Sequence, residues 1–118
     1  IDSMGDVAIA FSFDGALPFR EARAAVGKKG KWGHINRDGK IVTPLQYDGA
    51  GNFSEGLAAV HIKEKFGYVD RTGKLVIQTQ FDSGGLFRGG RAKVMVGNRV
   101  GQINTEGELV GGLRVIEE

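Results

Sequence analysis

Apolar and polar residues alternate in short stretches along this chain, and no stretch holds a 3.6-residue period long enough for a helix. Between residues 57 and 62, Ala58 and Val60 keep one face, and Ala24 with Val26, then Ala92 with Val94, repeat that arrangement. Between 66 and 70, Gly67 and Val69 share a face while Phe66, Tyr68 and Asp70 take the other. A third stretch, 75–77, has little alternation and reads as a strand covered on both sides. Its counterparts are 41–43 and 109–110. Each element returns after 34 residues: Trp32 and Gly33 become Phe66 and Gly67, then Val100 and Gly101. The same step joins Asp14 to Asp48 and Asp82, and Gly39 to Gly73 and Gly107. A fixed period of this size marks a repeat array.

The turns between these stretches can be read residue by residue. Asn36 stands three before Gly39, Asp70 before Gly73 and Asn104 before Gly107. An Asx side chain accepts hydrogen bonds from the turning backbone, and glycine takes the left-handed conformation that closes a hairpin into a bulge. A second polar connection precedes it, at Lys29 and Gly30, Glu64 and Lys65, or Gly97 and Asn98. Each unit therefore reads as a three-stranded antiparallel meander. The remaining stretch, such as 47–56, reads as a glycine-rich loop pinned to the sheet by Tyr47 and Phe53. Glycine inside the second strand weakens it, so Gly33, Gly67 and Gly101 imply a group lying tightly over the backbone, with an aromatic ring expected there.

The units run 13–46, 47–80 and 81–114 within a single domain of 1–118, preceded by a partial unit at 1–12. The phase at both ends reads as part of a longer array. KWGHINRDGKIV at 31–42 and FSEGLAAV at 53–60 resemble the two signature stretches of the WG-repeat proteins, also labelled KWG repeats, found mostly in bacteria. The chain departs from that pattern at Phe66 and Val100, where tryptophan is expected, and at 88–91, where RGGR replaces the typical SEGL. The resemblance implies an all-β repeat module attached to varied proteins, with binding roles and no common catalytic residues. The expected fold is all-β: tandem meanders stacked as an open superhelical, solenoid-like array, with a propeller-like closed arrangement as the alternative.

Composition narrows this picture without naming a ligand. The 118 residues are 41% hydrophobic, enough for a core, and no apolar run approaches a membrane span. The absence of cysteine excludes disulfides and thiolate metal sites, and fits a cytoplasmic or a secreted setting equally. A net charge of +2 implies no strongly electrostatic partner. Lys28, Lys29 and Lys31 cluster at a hairpin tip, where lysine also discourages edge pairing, so nucleic acid is disfavoured.

The repeat separates structural demand from candidate chemistry. Residues held in phase belong to the unit's geometry, so Asp14, Asp48 and Asp82 read as turn or backbone caps, and Glu21 and Glu55 as solvated or capping. His34 and His61 break phase, yet no histidine or cysteine spacing suits a metal, and no nucleophile has a matching base. No glycine pair opens a helix, which excludes a phosphate loop. We expect a non-enzymatic scaffold with no cofactor, binding a protein or peptide through His34, Arg37, Tyr68, Arg71 and Gln102. A carbohydrate- or cell-wall-binding module is the alternative, with Trp32, Tyr47 and Tyr68 stacking on sugars. Exposed sheet edges could also mediate self-association.

Overall fold

A computed structural model describes residues 13–115, with side chains as far as Gly112; the partial unit at 1–12 lies outside them. Twelve strands form three antiparallel four-stranded sheets. The first holds β1 (Gly15–Ala16), β2 (Arg23–Lys28), β3 (Lys31–Asn36) and β4 (Ile41–Tyr47). The second holds β5 (Gly49–Ser54), β6 (Leu57–Ile62), β7 (Lys65–Asp70) and β8 (Leu75–Phe81). The third holds β9 (Ser83–Gly84), β10 (Arg91–Val96), β11 (Arg99–Asn104) and β12 (Leu109–Val115). Strands pair in chain order, so each unit is a meander.

The meander has four strands, not three. The stretch expected to be a loop carries β5, whose Ala50 pairs with Val60 and Phe53 with Ala58 across a register shift. Small residues at Gly49, Ala50 and Gly51 let this bulged edge strand lie close to its neighbour. The strand at 75–77 extends to Phe81 and alternates, with Ile77 buried and Val76 exposed, so only one of its faces is covered. The first hairpin of the second unit turns at Lys63 and Glu64, one residue earlier than expected, with positive φ at both. The Asx turns form as expected: Asn36 Oδ1 accepts from the Asp38 and Lys40 backbone N–H groups, and Gly39 sits at φ 84°.

Gly33 and Gly67 are indeed covered, but by backbone rather than an aromatic ring. A Cβ on Gly33 would meet Thr43 O head-on and stand 2.7 Å from Pro44 O. On Gly67 it would meet Ile77 O and stand 2.8 Å from Gln78 C. The register shifts between Trp32 and His34, and between Phe66 and Tyr68, fall at these same glycines. The fourth strand thus bulges over the third, and a side chain would push it off.

The second sheet turns one face to the first sheet and the other to the third. Ala58, Val60 and Val69 of the second sheet cluster with Phe53 and with Tyr47 of the first. On the opposite face Tyr68, Ile77 and Leu57 cluster with Phe87, Val94 and Ile103 of the third. Burial of each large side chain contributes about 1.5–3 kcal/mol, so these inter-sheet layers are the core. Polar clasps repeat alongside them. Glu21 accepts from the backbone N–H groups of Glu55 and Gly56, and Glu55 from those of Gly89 and Gly90. Lys31 pairs with Asp48 at 3.0 Å and Lys65 pairs with Asp82. Asp14, Asp48 and Asp82 also cap the Lys29, Lys63 and Gly97 backbone N–H groups, the role their phase implied.

One position in each of the first two units carries a buried hydrogen bond to the next sheet. His34 Nε2 lies 2.8 Å from Gly51 O, and Tyr68 donates its hydroxyl to Gly85 O at 2.7 Å. A carbonyl only accepts, so His34 carries its proton on Nε2 and the Thr43 hydroxyl, 3.0 Å away, donates to Nδ1. Both rings meet the next unit's phenylalanine edge to face: His34 on Phe53 at 4.6 Å and Tyr68 on Phe87 at 4.9 Å.

Two outcomes follow from this packing. Gly67→Ala should lower unfolding stability by about 1–3 kcal/mol, because backbone must shift to admit the methyl. Gly51→Ala, whose nearest neighbour would be Ala59 O at 3.7 Å, should change urea midpoints little. Burial, despite the bond to Gly51 O and with Arg23 nearby, holds the His34 pKa below its ordinary 6.5. The unfolded chain therefore takes up a proton that the folded chain refuses. This contribution is full above pH 6.5 and is lost as pH falls through the lowered native value. Urea midpoints at pH 7.5 and 5.5 should fall further in the wild type than in His34→Gln.

Candidate functional site

β1, β5 and β9 are the first strands of their sheets and lie at one edge of each. Their ends converge on a cavity of about 600 Å³. Leu17 enters from the first sheet and Leu86 from the third, and both are exposed there, 37% and 48%. The second sheet supplies Asn52, His61 and Phe66, and the floor is Gly49 to Gly51 with Gly84 and Gly85. Trp32 reaches the cavity from β3. The wall is mostly apolar, and His61 is its one ionisable side chain.

The ring walls result from an exchange of volume between units. The indole of Trp32 lies over Gly27 and Gly15, where a Cβ would stand 2.7 Å from Trp32 Cδ2 and 3.0 Å from Cη2 respectively. In the second unit the smaller Phe66 leaves room, and His61 stands where Gly27 stood. Its ring covers Gly49, where a Cβ would run into Nε2 and stand 2.7 Å from Cδ2, and it packs on Phe66 at 4.7 Å. The third unit carries Ser83, Met95 and Val100 at these positions. His61 breaks phase because tryptophan is lost beside it. Comparing the three positions as a set, rather than one at a time, is the signal that would have linked them.

Two polar atoms in this wall are buried without a partner: Asn52 Oδ1 and His61 Nδ1. An unsatisfied buried polar group costs about 1–3 kcal/mol. Native interiors seldom leave such an atom unpaired, and here each is shielded from the cavity by its own surroundings. Elsewhere among the described residues no group of three or more His, Asp or Glu side chains gathers to hold a metal ion. No helix there is long and apolar enough to cross a membrane, which says nothing of β-barrels.

The five residues expected to form a contact surface are not brought together. His34 and Tyr68 are fully buried between sheets, which corrects their expected exposure: strand β3 and strand β7 are covered on both faces. Burial pushes the Tyr68 hydroxyl up to about 12, so it remains a donor. Arg71 pairs with Glu21 at 3.2 Å, a further contact between the first two sheets. Partial burial would raise the Glu21 carboxyl, but hydrogen bonds from the Gly56 and Glu55 N–H groups and from Arg71 hold it below the usual range. Arg37 lies over the Phe19 ring at 4.5 Å. Gln102 alone is exposed without surrounding aromatic structure, beside a smaller cavity of about 300 Å³ with Lys93 and Gly111. Of the proposed sugar platform, Tyr47 and Tyr68 are core residues, and only Trp32 reaches a cavity.

The model for the WG containing repeat matches this chain at residues 1–32, 32–66 and 66–99. Those frames begin and end at the Trp32 and Phe66 strands, and so cut the same repeat at another phase. No curated protein matches the sequence. Among solved structures, a plant albumin from Cicer arietinum, described as showing hemagglutination, is similar over 88% of this chain and 67% of that chain, at 15% identity and a TM-score of 0.41. A likeness that loose carries no argument about function. The three consecutive matches do: this chain belongs to the WG containing repeat family.

Proposed function

We propose that this chain is a non-enzymatic repeat module that binds a peptide segment of a protein partner in the cavity at its inner edges. The observation that carries this reading is the wall itself. Leu17, Trp32, Phe66 and Leu86 offer apolar surface from three sheets, and hydrophobic walls with few polar groups are the usual form of a binding cavity. The exposed leucines at the rim stand where a partner can cover them. A single ionisable group, His61, gives the wall no acid, base and nucleophile set, which supports binding over catalysis.

We read the sheets as following one another in an open superhelical array. Contacts joining consecutive sheets, as in the Lys31–Asp48 and Lys65–Asp82 pairs, support this reading. The carbohydrate alternative keeps only Trp32 of its three aromatics at a cavity, since Tyr47 and Tyr68 are buried.

Trp32 is the only tryptophan, so its emission reports on the cavity directly. Peptides selected by display on the immobilised chain should be rich in apolar residues and should shift that emission. Leu86→Asp should weaken them at least tenfold while leaving the melting temperature within a few degrees. Recovery of glycans on an array, with no peptide selected, would transfer the reading to the carbohydrate class.

A further inference from the structure

We propose that the outer face of the third sheet docks an extended acidic segment of a partner protein, as the first two sheets each seat the opening stretch of the next unit. The chain itself shows that seat twice. Lys31 pairs with Asp48, His34 donates to Gly51 O, and Phe53 meets the His34 ring edge to face. On the second sheet Lys65 pairs with Asp82, Tyr68 donates to Gly85 O, and Phe87 meets the Tyr68 ring. Both seated stretches therefore offer the same groups at one spacing: a carboxylate, a backbone carbonyl three residues later, and a phenylalanine two beyond that.

The third sheet turns the matching positions outward. Arg99 stands in phase with Lys31 and Lys65, Gln102 stands in phase with His34 and Tyr68, and both are exposed. Gln102 lies directly opposite Lys93 on β10 and Val110 on β12, the row that Ala59, Tyr68 and Ile77 form in the second sheet. Val100, Gly101 and Val110 line the hollow of about 300 Å³ beside it, and none of them lines the larger cavity. The Gln102 amide is flat and has an N–H to donate to a carbonyl. Arg99 and Lys93 favour a carboxylate, and the valines suit a phenyl ring. Two departures select a single segment over a whole further sheet. Lys93 replaces Ala25, which is fully buried at its joint, so a sheet packed here would bury an unpaired ammonium. Gly89 replaces Glu21 and Glu55, so the carboxylate that clasps the next unit's backbone is missing. One extended strand can cover Gln102 and leave the Lys93 head in water beside it.

The test titrates the isotope-labelled full chain with acetyl-Asp-Ser-Gly-Gly-Leu-Phe-amide, which copies residues 82–87, and reads its NMR signals. The peptide should shift the Gln102 side-chain amide and the backbone signals of Val100 and Val110. Alanine in place of its phenylalanine should weaken binding about tenfold. Asparagine in place of its aspartate should weaken it less and remove most of the salt dependence. Gln102→Leu should weaken the parent peptide, and Gln102→Tyr, which restores the residue of the second joint, should tighten it. The side chain is exposed, so both variants should keep the melting temperature within a few degrees. If the peptide shifts only the signals of Leu17, Trp32 and Leu86, the outer face is not its site and this proposal fails while the cavity reading stands. If it shifts nothing, or if the chain sediments as a dimer that Gln102→Leu dissociates, docking of a partner segment on this face is overturned.

Discussion

The rest of the structure depends on the close passage of one strand over another at Gly33 and Gly67. Because these residues lack a Cβ, the carbonyls of Thr43 and Ile77 can lie against the third strand, and the fourth strand bulges there. The bulge lies between the buried Thr43 or Ile77 and the buried Tyr47 or Phe81, residues that then pack across the sheet boundary. Each fourth strand also leads within two residues into the first strand of the next sheet. A side chain at either glycine would therefore disturb both the hairpin and the hand-over between units. The adjoining ring has no such duty, and tryptophan gives way to phenylalanine and valine while glycine stays.

Cohesion between sheets comes from two kinds of contact with different tolerances. The backbone-directed clasps of Glu21 and Glu55 keep one residue type because two adjacent N–H groups donate best to the two oxygens of one carboxylate. The buried position at 34 and 68 is freer. It needs a flat ring and one proton to donate to the next sheet's carbonyl, and imidazole and phenol both supply these. The cost differs: histidine makes the joint sensitive to acid, whereas tyrosine keeps its proton throughout the physiological range.

How much was legible in the sequence follows from this difference. Turn chemistry is local, so Asn36 and Gly39 announced their hairpin without reference to anything distant, and Asp48 announced a cap. The strand at 49–54 was hidden because its glycines and Asn52 resemble a loop, and only pairing with β6 makes it a strand. Variation between units at 34, 68 and 102 was read as freedom to contact a partner. In two of the three it is freedom to choose among donors in a buried joint. A sequence shows that a position varies; it does not show whether water or another sheet lies opposite. The cavity was less visible still, since its lining comes from all three sheets and meets only where the first strands converge.

That convergence says where function can reside in such an array. The inter-sheet faces are committed to packing, and the fourth strands carry the bulges that precede each hand-over to the next sheet. β1 and β9 are only two residues long and β5 is bulged, so residues on or beside these strands are less tied to a regular ladder. Leu17, Asn52 and Leu86 lie on or beside these strands, and each departs from what its counterparts carry. His61 departs as well, and it does so through the loss of tryptophan at 66. A substitution made to keep the second sheet filled thereby placed an imidazole in the cavity wall. Its buried, unpaired Nδ1 is a consequence of how the neighbouring volume was refilled.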